Sequence, residues 1–154
     1  LYPRQLVAER SYHGWSSIPL LDLGVGGSDV TMLAFNMYID AELIPTVFDL
    51  GTTVNLMNRR AARRLGVSVR RARNLPDVRG ITGDAPVLTE LIVWQLQITD
   101  MFWRNRRFLI GDFTVFDVLD INDRAAAIVG TSFFGNRDFI IDFQRKRLLV
   151  RSRD

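Results

Sequence analysis

Residues 44–66 read IPTVFDLGTTVNLMNRRAARRLG, and the interpretation of the whole chain starts from this stretch. An apolar run ends at Asp49, and Leu50, Gly51 and Thr52 follow before a second short apolar run begins. A carboxylate at the end of a buried strand is costly unless a partner or a reaction uses it. The sequence therefore singles out Asp49 as the candidate catalytic residue.

The segments on either side of this loop predict a hairpin before it and a short helix after it. Alternation over residues 30–39 predicts a strand buried mostly on one side, and residues 43–48 predict the strand that returns toward the loop. Residues 58–65 predict a two-turn helix, because Asn58 can cap its first turn and Gly66 can take the left-handed conformation after its last.

Most of the remaining chain predicts short strands. Apolar or alternating segments of this kind are residues 18–23, 67–71, 88–98, 107–110, 114–118, 139–143 and 147–150. The alternation in residues 88–98 places Val93 on the face opposite Leu96 and Ile98. A brief helical turn is predicted from Thr131. We therefore expect an all-β fold with one or two short helices, in a single domain over residues 18–154 that follows an N-terminal arm over residues 1–17.

Composition limits the classes of chemistry that the chain can perform. A chain of 154 residues with 47% hydrophobic residues can form one domain with a substantial core. It has no cysteine, which excludes disulfides and thiolate chemistry, and its only histidine is His13. A Ser-His-Asp catalyst would need His13, but no nucleophile-elbow motif is present to pair with it. No His, Asp and Glu residues occur with metal-ligand spacing, so we expect neither a metal nor a cofactor.

The compartment is only loosely constrained. The sequence contains no uncharged apolar run of about 18 residues, so we expect no membrane span within it. It has no basic-then-apolar leader, and it begins at Leu1 rather than at a methionine. We therefore expect a piece of a longer protein whose signal or anchor lies outside these residues. Lack of cysteine fits both cytoplasm and periplasm, and we favour a periplasmic or membrane-anchored domain.

Arginine is concentrated in one part of the sequence. The net charge is +3, only one of the 20 basic residues is a lysine, and seven arginines fall within residues 59–73. Such a cluster can attract an acidic protein, RNA or an anionic lipid surface. It can equally form a solvated helix face followed by a basic strand. Because no aromatic residues alternate with these arginines, we expect no nucleic acid partner.

A lone carboxylate in an apolar setting has few chemical uses, whereas two carboxylates at short range have a distinctive one. Like charges cannot both ionise there, so the pair shares a proton, and one member acts as a base on water while the other acts as an acid toward a carbonyl group. The chain supplies one Asp-x-Gly-Thr motif, so the second carboxylate must come from another copy. A twofold homodimer would place two Asp49 residues across its axis.

Residues 47–53, VFDLGTT, with the apolar run and helix after them, resemble the catalytic region of retropepsin-like aspartic proteases. These are the single-lobe, dimeric relatives of pepsin found in retroviruses and in bacteria. Ile128, Val129 and Gly130 resemble the second signature of that family, in which two hydrophobic residues and a glycine pack beside the catalytic loop. Residues 139–143 and 148–150 match the closing strands of the family.

This resemblance implies a closed β-barrel of the acid-protease fold and an aspartic endopeptidase that acts on a polypeptide substrate as a homodimer. Asp49 would be the catalytic residue of each subunit, and Leu50, Gly51 and Thr52 would form the active-site loop. The family covers its substrate with a flap hairpin, which corresponds here to Gly80, Ile81, Thr82 and Gly83.

The chain departs from the family at Leu50, where the family has a threonine or serine whose hydroxyl bonds across the dimer axis. Leucine cannot make that bond, but it can pack against its symmetry mate and preserve the dimer. The alternative is a retropepsin-like domain that no longer cleaves peptides and serves as a dimerisation or peptide-binding module. An unrelated β-barrel with a basic interaction face is a third interpretation.

Overall fold

The computed structural model describes residues 12–21, 32–68 and 87–152, and within them short strands predominate. The strands are β1 (Trp15–Pro19), β2 (Ala34–Ile39), β3 (Glu42–Phe48), β4 (Leu56–Met57), β5 (Thr89–Ile98), β6 (Met101–Ile110), β7 (Ala127–Val129), β8 (Phe139–Asp142) and β9 (Arg147–Arg151). The helices are α1 (Arg59–Arg64) and α2 (Thr114–Val118), and Thr131–Phe134 forms a 3-10 turn. No helix in these described ranges has the length and apolarity needed to cross a membrane.

Six of the strands close into a barrel, in the order β2-β3-β7-β4-β6-β5. The remaining three form an antiparallel sheet in the order β1-β9-β8. The two shortest strands, β4 and β7, are neighbours in this barrel. Strand β7 lies between β3, with which it pairs in parallel, and β4, with which it pairs antiparallel. The predicted all-β fold, with a closed barrel and two short helices, is confirmed.

The predicted hairpin before the Asp49 loop is confirmed as β2 and β3. Its register runs from Ala34 opposite Val47 to Ile39 opposite Glu42, so the strands pair along their whole length. Asp40 and Ala41 form a two-residue turn in which both have left-handed φ angles, 49° and 65°. That geometry matches the twist of the flanking strands and normally selects glycine or asparagine.

The hairpin of β5 and β6 is longer than predicted, since β6 starts at Met101 rather than at residue 107. The alternation of buried and exposed side chains along this hairpin is also interrupted. Asn105 has a left-handed φ of 53°, and around it the regular pleat is broken. As a result Val93, Leu96 and Ile98 are all buried in the core. The prediction that Val93 lies on the face opposite Leu96 and Ile98 was wrong, because period-two reasoning assumes an unbroken ladder.

Residues 114–118 were predicted as a strand, and this was wrong because they form α2. Phe113 has an extended backbone at the start of the helix, and Phe116 follows three residues later. Both rings are buried, with centroids 6.4 Å apart, in one apolar cluster with residues of the barrel strands. Helical spacing lets these two large side chains enter the same cluster, and that burial outweighs the strand propensity of Val115 and Val118.

The first described strand extends farther toward the N-terminus than predicted. Strand β1 begins at Trp15, so the last residues of the predicted arm pair with β9, from Trp15 opposite Arg151 to Pro19 opposite Arg147. Residues 1–11 and 22–31 lie outside the described ranges. The division between an arm over residues 1–17 and a domain over residues 18–154 therefore stays a prediction.

The turn between β8 and β9 is held by Asp142. Its carboxylate accepts a hydrogen bond from the backbone N–H of Arg145 at 3.0 Å and from Nε of Arg147 at 3.1 Å. The backbone hydrogen bond from Arg145 is the main reason why the pKa of Asp142 lies below its ordinary value, and the side chains of Arg147 and Arg145 add to the shift. A lowered pKa means that this turn stabilises the fold above the ordinary carboxyl range and loses that contribution in stronger acid.

Ala41 offers a direct test of the hairpin turn. An L-residue in the left-handed region costs about 1 kcal/mol that glycine avoids, so Ala41→Gly is expected to raise the free energy of unfolding by up to about 1 kcal/mol. Chemical denaturation of the two proteins measures the difference. The matched control is Ala61→Gly in α1, where the same change is expected to lower stability by at least about 1 kcal/mol. A loss of stability in Ala41→Gly would contradict the turn geometry.

Candidate active site

Asp49 directly follows β3, at the point where the chain leaves the barrel. Its backbone N–H donates to the carbonyl of Val129 at 3.0 Å, which continues the pairing of β3 with β7 by one residue. Its side-chain Oδ1 accepts the backbone N–H of Gly51 at 2.8 Å. The side chain is half-buried. The Val129 carbonyl therefore holds the Asp49 backbone, the Gly51 N–H orients its carboxylate, and the exposed part of the side chain remains accessible to a ligand.

The loop after Asp49 is fastened to the residues after β7. The backbone N–H of Thr131 donates to the carbonyl of Thr52 at 3.1 Å, and the Ser132 hydroxyl donates to the carbonyl of Thr53. A Cβ atom at Gly130 would lie 2.3 Å from the Thr52 carbonyl oxygen, so only glycine fits there. The two predicted signatures are thus brought into direct contact.

Asn55 ties the loop to both neighbouring strands, and the sequence analysis did not identify it. Its Oδ1 accepts the backbone N–H of Gly130 at 3.3 Å, and its Nδ2 donates to the carbonyl of Arg107 in β6 at 3.1 Å. The available signal was its position, a single amide between apolar Val54 and Leu56. An amide is well suited to bridge two strands, since it offers a donor and an acceptor together.

Asn58 secures the other end of the loop and confirms its predicted role as the N-cap of α1. Its Oδ1 accepts the backbone N–H of Ala61 at 2.9 Å and that of Ala126 at 3.2 Å, and its Nδ2 donates to the carbonyl of Arg124 at 2.7 Å. It is 1% exposed. One buried amide therefore joins the start of the helix to the segment that leads into β7.

The outer face of the loop is apolar and exposed. Leu50 is 52% exposed and Val54 is 37% exposed, on either side of the half-buried Thr52. The Thr52 hydroxyl accepts the backbone N–H of Val54 at 3.3 Å, so it braces the loop from within. The loop therefore presents two apolar side chains to solvent beside the half-buried Asp49.

The structure thus places the predicted residues Asp49, Leu50, Gly51 and Thr52 in one loop, against Val129 and Gly130. Ile128 lies directly behind them in β7, where it pairs with Val47 and Leu56. The predicted flap residues Gly80, Ile81, Thr82 and Gly83 lie outside the described ranges. In the part of the chain that the structure describes, no three acidic, histidine or cysteine side chains are grouped to hold a metal ion.

Comparison with known proteins shows a likeness of structure. No protein-family model and no curated protein matches the sequence. A retropepsin-like aspartic protease from Rickettsia conorii matches with a TM-score of 0.57 and 15% identity, over 90% of this chain and 91% of that chain. The retroviral protease-like domain of Ddi1 from Leishmania major matches with a TM-score of 0.51 and 22% identity, over 77% of this chain and 87% of that one. The chain therefore has the retropepsin-like fold, as its motifs predict.

Gly130 provides the test of the contact between the loop and β7. Gly130→Ala forces a methyl group against the Thr52 carbonyl, so we expect a loss of about 1–3 kcal/mol in the free energy of unfolding. Hydrogen exchange should also become faster at the amides of Asp49 and Thr131, whose hydrogen bonds span the contact. Chemical denaturation and hydrogen exchange measure the two effects.

The control for this experiment is Gly66→Ala at the end of α1. Gly66 has a φ of 70° but open space around its Cα, so alanine there adds backbone strain without a clash. Its exchange rates at Asp49 and Thr131 should stay unchanged. Unchanged stability and exchange in Gly130→Ala would contradict the contact.

Proposed function

We propose that the protein is an aspartic endopeptidase that acts as a homodimer, with one Asp49 from each protomer. The observation that carries the proposal is the geometry of the Asp49 loop, which a retropepsin-like barrel holds by backbone hydrogen bonds to Val129 and Thr131 while the carboxylate stays half-exposed. The Rickettsia conorii protein of the same fold is an aspartic protease. A positioned carboxylate at this place in the fold supports the same chemistry here.

The reaction uses the two Asp49 carboxylates as a pair that holds one proton. The ionised member takes a proton from a water molecule, which attacks the carbonyl carbon of the scissile peptide bond. The protonated member donates its proton to the carbonyl oxygen, which relieves the charge that develops there. In the breakdown of the tetrahedral intermediate, the carboxyl that took the proton from water gives it to the amide nitrogen, the other carboxylate takes a proton from a hydroxyl of the intermediate, and the C–N bond breaks. Gly51 holds Oδ1 of each carboxylate in place through its N–H.

Leu50 gives the dimer an apolar contact in place of the hydroxyl bond that the family uses. The side chain is 52% exposed in the protomer, next to Asp49, and Val54 adds further apolar surface. Full burial of a leucine is worth about 1.5–3 kcal/mol, so covering the exposed half of Leu50 contributes about 1 kcal/mol for each protomer. The loop itself is already braced from within by Thr52 and Asn55, so it does not depend on a hydroxyl at residue 50.

The substrate is an extended polypeptide. A peptide that lies along the loop in strand form presents its backbone N–H and C=O groups to the protein, as in strand addition. Gly80, Ile81, Thr82 and Gly83 are assigned as the flap that closes over it, on their position between the two signatures in the sequence. The flap excludes bulk water from the reacting groups.

A second candidate function is a dimerisation or peptide-binding module that does not cleave. Leu50 favours it, because the exposed leucine removes the hydroxyl that the family keeps beside the catalytic carboxylate. In that case Asp49 acts only as the acceptor for the Gly51 N–H. The two candidates share the fold and the dimer, and they differ in whether a peptide bond is broken.

Asp49→Asn separates these two candidates. Asparagine keeps the Oδ1 acceptor for Gly51, so the loop should stay intact while the base and acid are lost. Incubation with a peptide library from about pH 3 to pH 8 should show cleavage by the unmodified protein, and a rate at least about 100-fold lower in Asp49→Asn. Asp100→Asn, on the exposed turn between β5 and β6, is the control and should retain full activity.

Cleavage that survives in Asp49→Asn would contradict the mechanism. Absence of cleavage by the unmodified protein at every pH, with the peptides still bound, would favour the module that does not cleave.

Leu50→Cys tests the dimer separately from catalysis. The chain has no cysteine, so a single thiol at residue 50 can form a disulfide only with its copy in a second protomer. Such a bond needs Cα atoms within about 7 Å, and the proposed dimer brings the two copies of residue 50 together at its axis. Mild oxidation should therefore give a covalent dimer of Leu50→Cys, detected by non-reducing electrophoresis.

The matched control is Val118→Cys, at a residue that is 66% exposed on α2. It should form no covalent dimer under the same oxidation and should migrate as a single chain in non-reducing electrophoresis. Equal crosslinking of the two variants would show that the dimer is not built around the Asp49 loop.

A further inference from the structure

A cleft between α1 and the segment before β7 is lined mainly by arginine side chains. It has a volume of about 420 Å³ and is lined by Arg60, Arg63, Arg64 and Arg124, with Asp123 as its one carboxylate. All four arginine side chains are exposed. The lining residues therefore carry a net charge of three positive units in a concave space that is open to solvent.

Three of these guanidinium groups are held in place by a single hydrogen bond each. Nε of Arg60 donates to the carbonyl of Asn122 at 3.0 Å, and Nη1 of Arg64 donates to the carbonyl of Leu43 at 2.9 Å. Nε of Arg124 donates to Asp123 at 3.2 Å. A guanidinium has five N–H donors, so most donors of each group remain available to a ligand while its position is fixed.

Arg63 and Arg59 show the contrast between an available and an occupied arginine on the same helix. The Arg63 side chain makes no hydrogen bond or ion pair with any residue in the described ranges, and its backbone carbonyl accepts the N–H of Gly66 at 3.0 Å. Arg59 lies outside the cleft and bonds Asp112 through both Nε and Nη2, at 3.2 and 2.5 Å. The hydrogen bond to Asp112 raises the pKa of Arg59 above its ordinary value. The cleft thus contains Arg60, Arg63 and Arg64, the arginines of α1 that form no ion pair with an acidic residue in the described ranges.

We propose that this cleft binds an acidic segment of a polypeptide. Guanidinium forks match carboxylates in bidentate pairs, and four of them can hold several acidic side chains. Asp123 can accept N–H groups of the bound backbone, a role that it could not play toward a ligand with acceptors alone. The mixed lining therefore fits a peptide with glutamate or aspartate side chains better than it fits phosphate or a polyphosphate.

The cleft is poorly suited to the other anionic partners. It has no aromatic side chain in its lining, so it offers no platform on which nucleic acid bases could stack. An anionic lipid surface presents phosphate acceptors to the cleft, so the carboxylate of Asp123 would face negative charge without a backbone N–H group to bond.

The cleft is separate from Asp49. Arg64 bonds the carbonyl of Leu43, roughly 20 Å from Asp49 along β3, and Ala125 in the cleft lies roughly 13 Å along the chain from Val129, whose carbonyl accepts the Asp49 N–H. An acidic segment in the cleft is therefore a separate part of a partner from any segment that reaches the Asp49 loop. The binding does not depend on catalysis, and it can be tested without it.

The test is a titration of a fluorescein-labelled octaglutamate peptide, followed by fluorescence anisotropy at low and at physiological salt. The protein should bind this peptide and not an octaglutamine peptide, and affinity should fall as salt is raised. Arg63→Glu should weaken binding by about tenfold or more, because it replaces a cation of the cleft with a repelling charge. The Arg63 side chain has no described partner to lose, so the fold should be retained, as circular dichroism can verify.

Arg104→Glu is the matched control, since it makes the same change in net charge at an exposed residue of β6 outside the cleft. Its affinity should stay within about twofold of the unmodified protein. Equal weakening by the two variants would overturn the proposal, because it would show a response to net charge alone. Absence of octaglutamate binding at low salt would also overturn it. So would tighter binding of an octauridine RNA, or of phosphatidylserine vesicles, that Arg63→Glu abolishes.

Discussion

The structure depends on a position where no side chain fits. Gly130 lies so close to the Thr52 carbonyl that a methyl group would overlap it. This close approach lets the chain after β7 exchange backbone hydrogen bonds with the loop after β3, and so places β7 between β3 and β4. Directly after Gly130 in the chain, the 3-10 turn buries Phe133 and Phe134, and the Phe134 ring packs against Phe48 with centroids 5.2 Å apart. Gly130 is thus held between the loop and the aromatic core.

Local patterns predict the parts of the fold whose contacts are close in sequence. The cap at Asn58 and the end of α1 at Gly66 follow from residues within one helical turn, and the β2–β3 hairpin follows from two strands joined by a two-residue turn. Barrel closure does not, because Thr46 pairs with Ala127 and Leu56 pairs with Leu109 across long separations. Strands of two and three residues are also too short to show a period. The resemblance to a known family supplied the long-range pairing that periodicity could not.

The candidate site also divides into residues that the sequence predicts and residues whose role depends on long-range contacts. Asp49 was predicted from the chemistry of a carboxylate at the end of a buried strand, whereas its loop and the signature at Gly130 were predicted from the resemblance to retropepsin-like aspartic proteases. Asn55 was not, because one asparagine in an apolar stretch does not show which strands it bridges until Arg107 and Gly130 are known to lie beside it. The two errors, at residues 114–118 and around Val93, have a related cause. In each, tertiary packing set the side-chain direction against a regular local pattern.

The central claim is that two copies of the Asp49 loop meet as one site. A crystal structure of the protein with a peptide mimic that carries a hydroxyl in place of the scissile carbonyl tests it most directly. The account predicts a twofold dimer in which the nearest oxygens of the two Asp49 carboxylates lie within about 3 Å of each other, close enough to share a proton, with the hydroxyl between them. A mimic bound by a dimer whose Asp49 carboxylates are clearly beyond hydrogen-bond distance, more than about 3.5 Å apart, would contradict it.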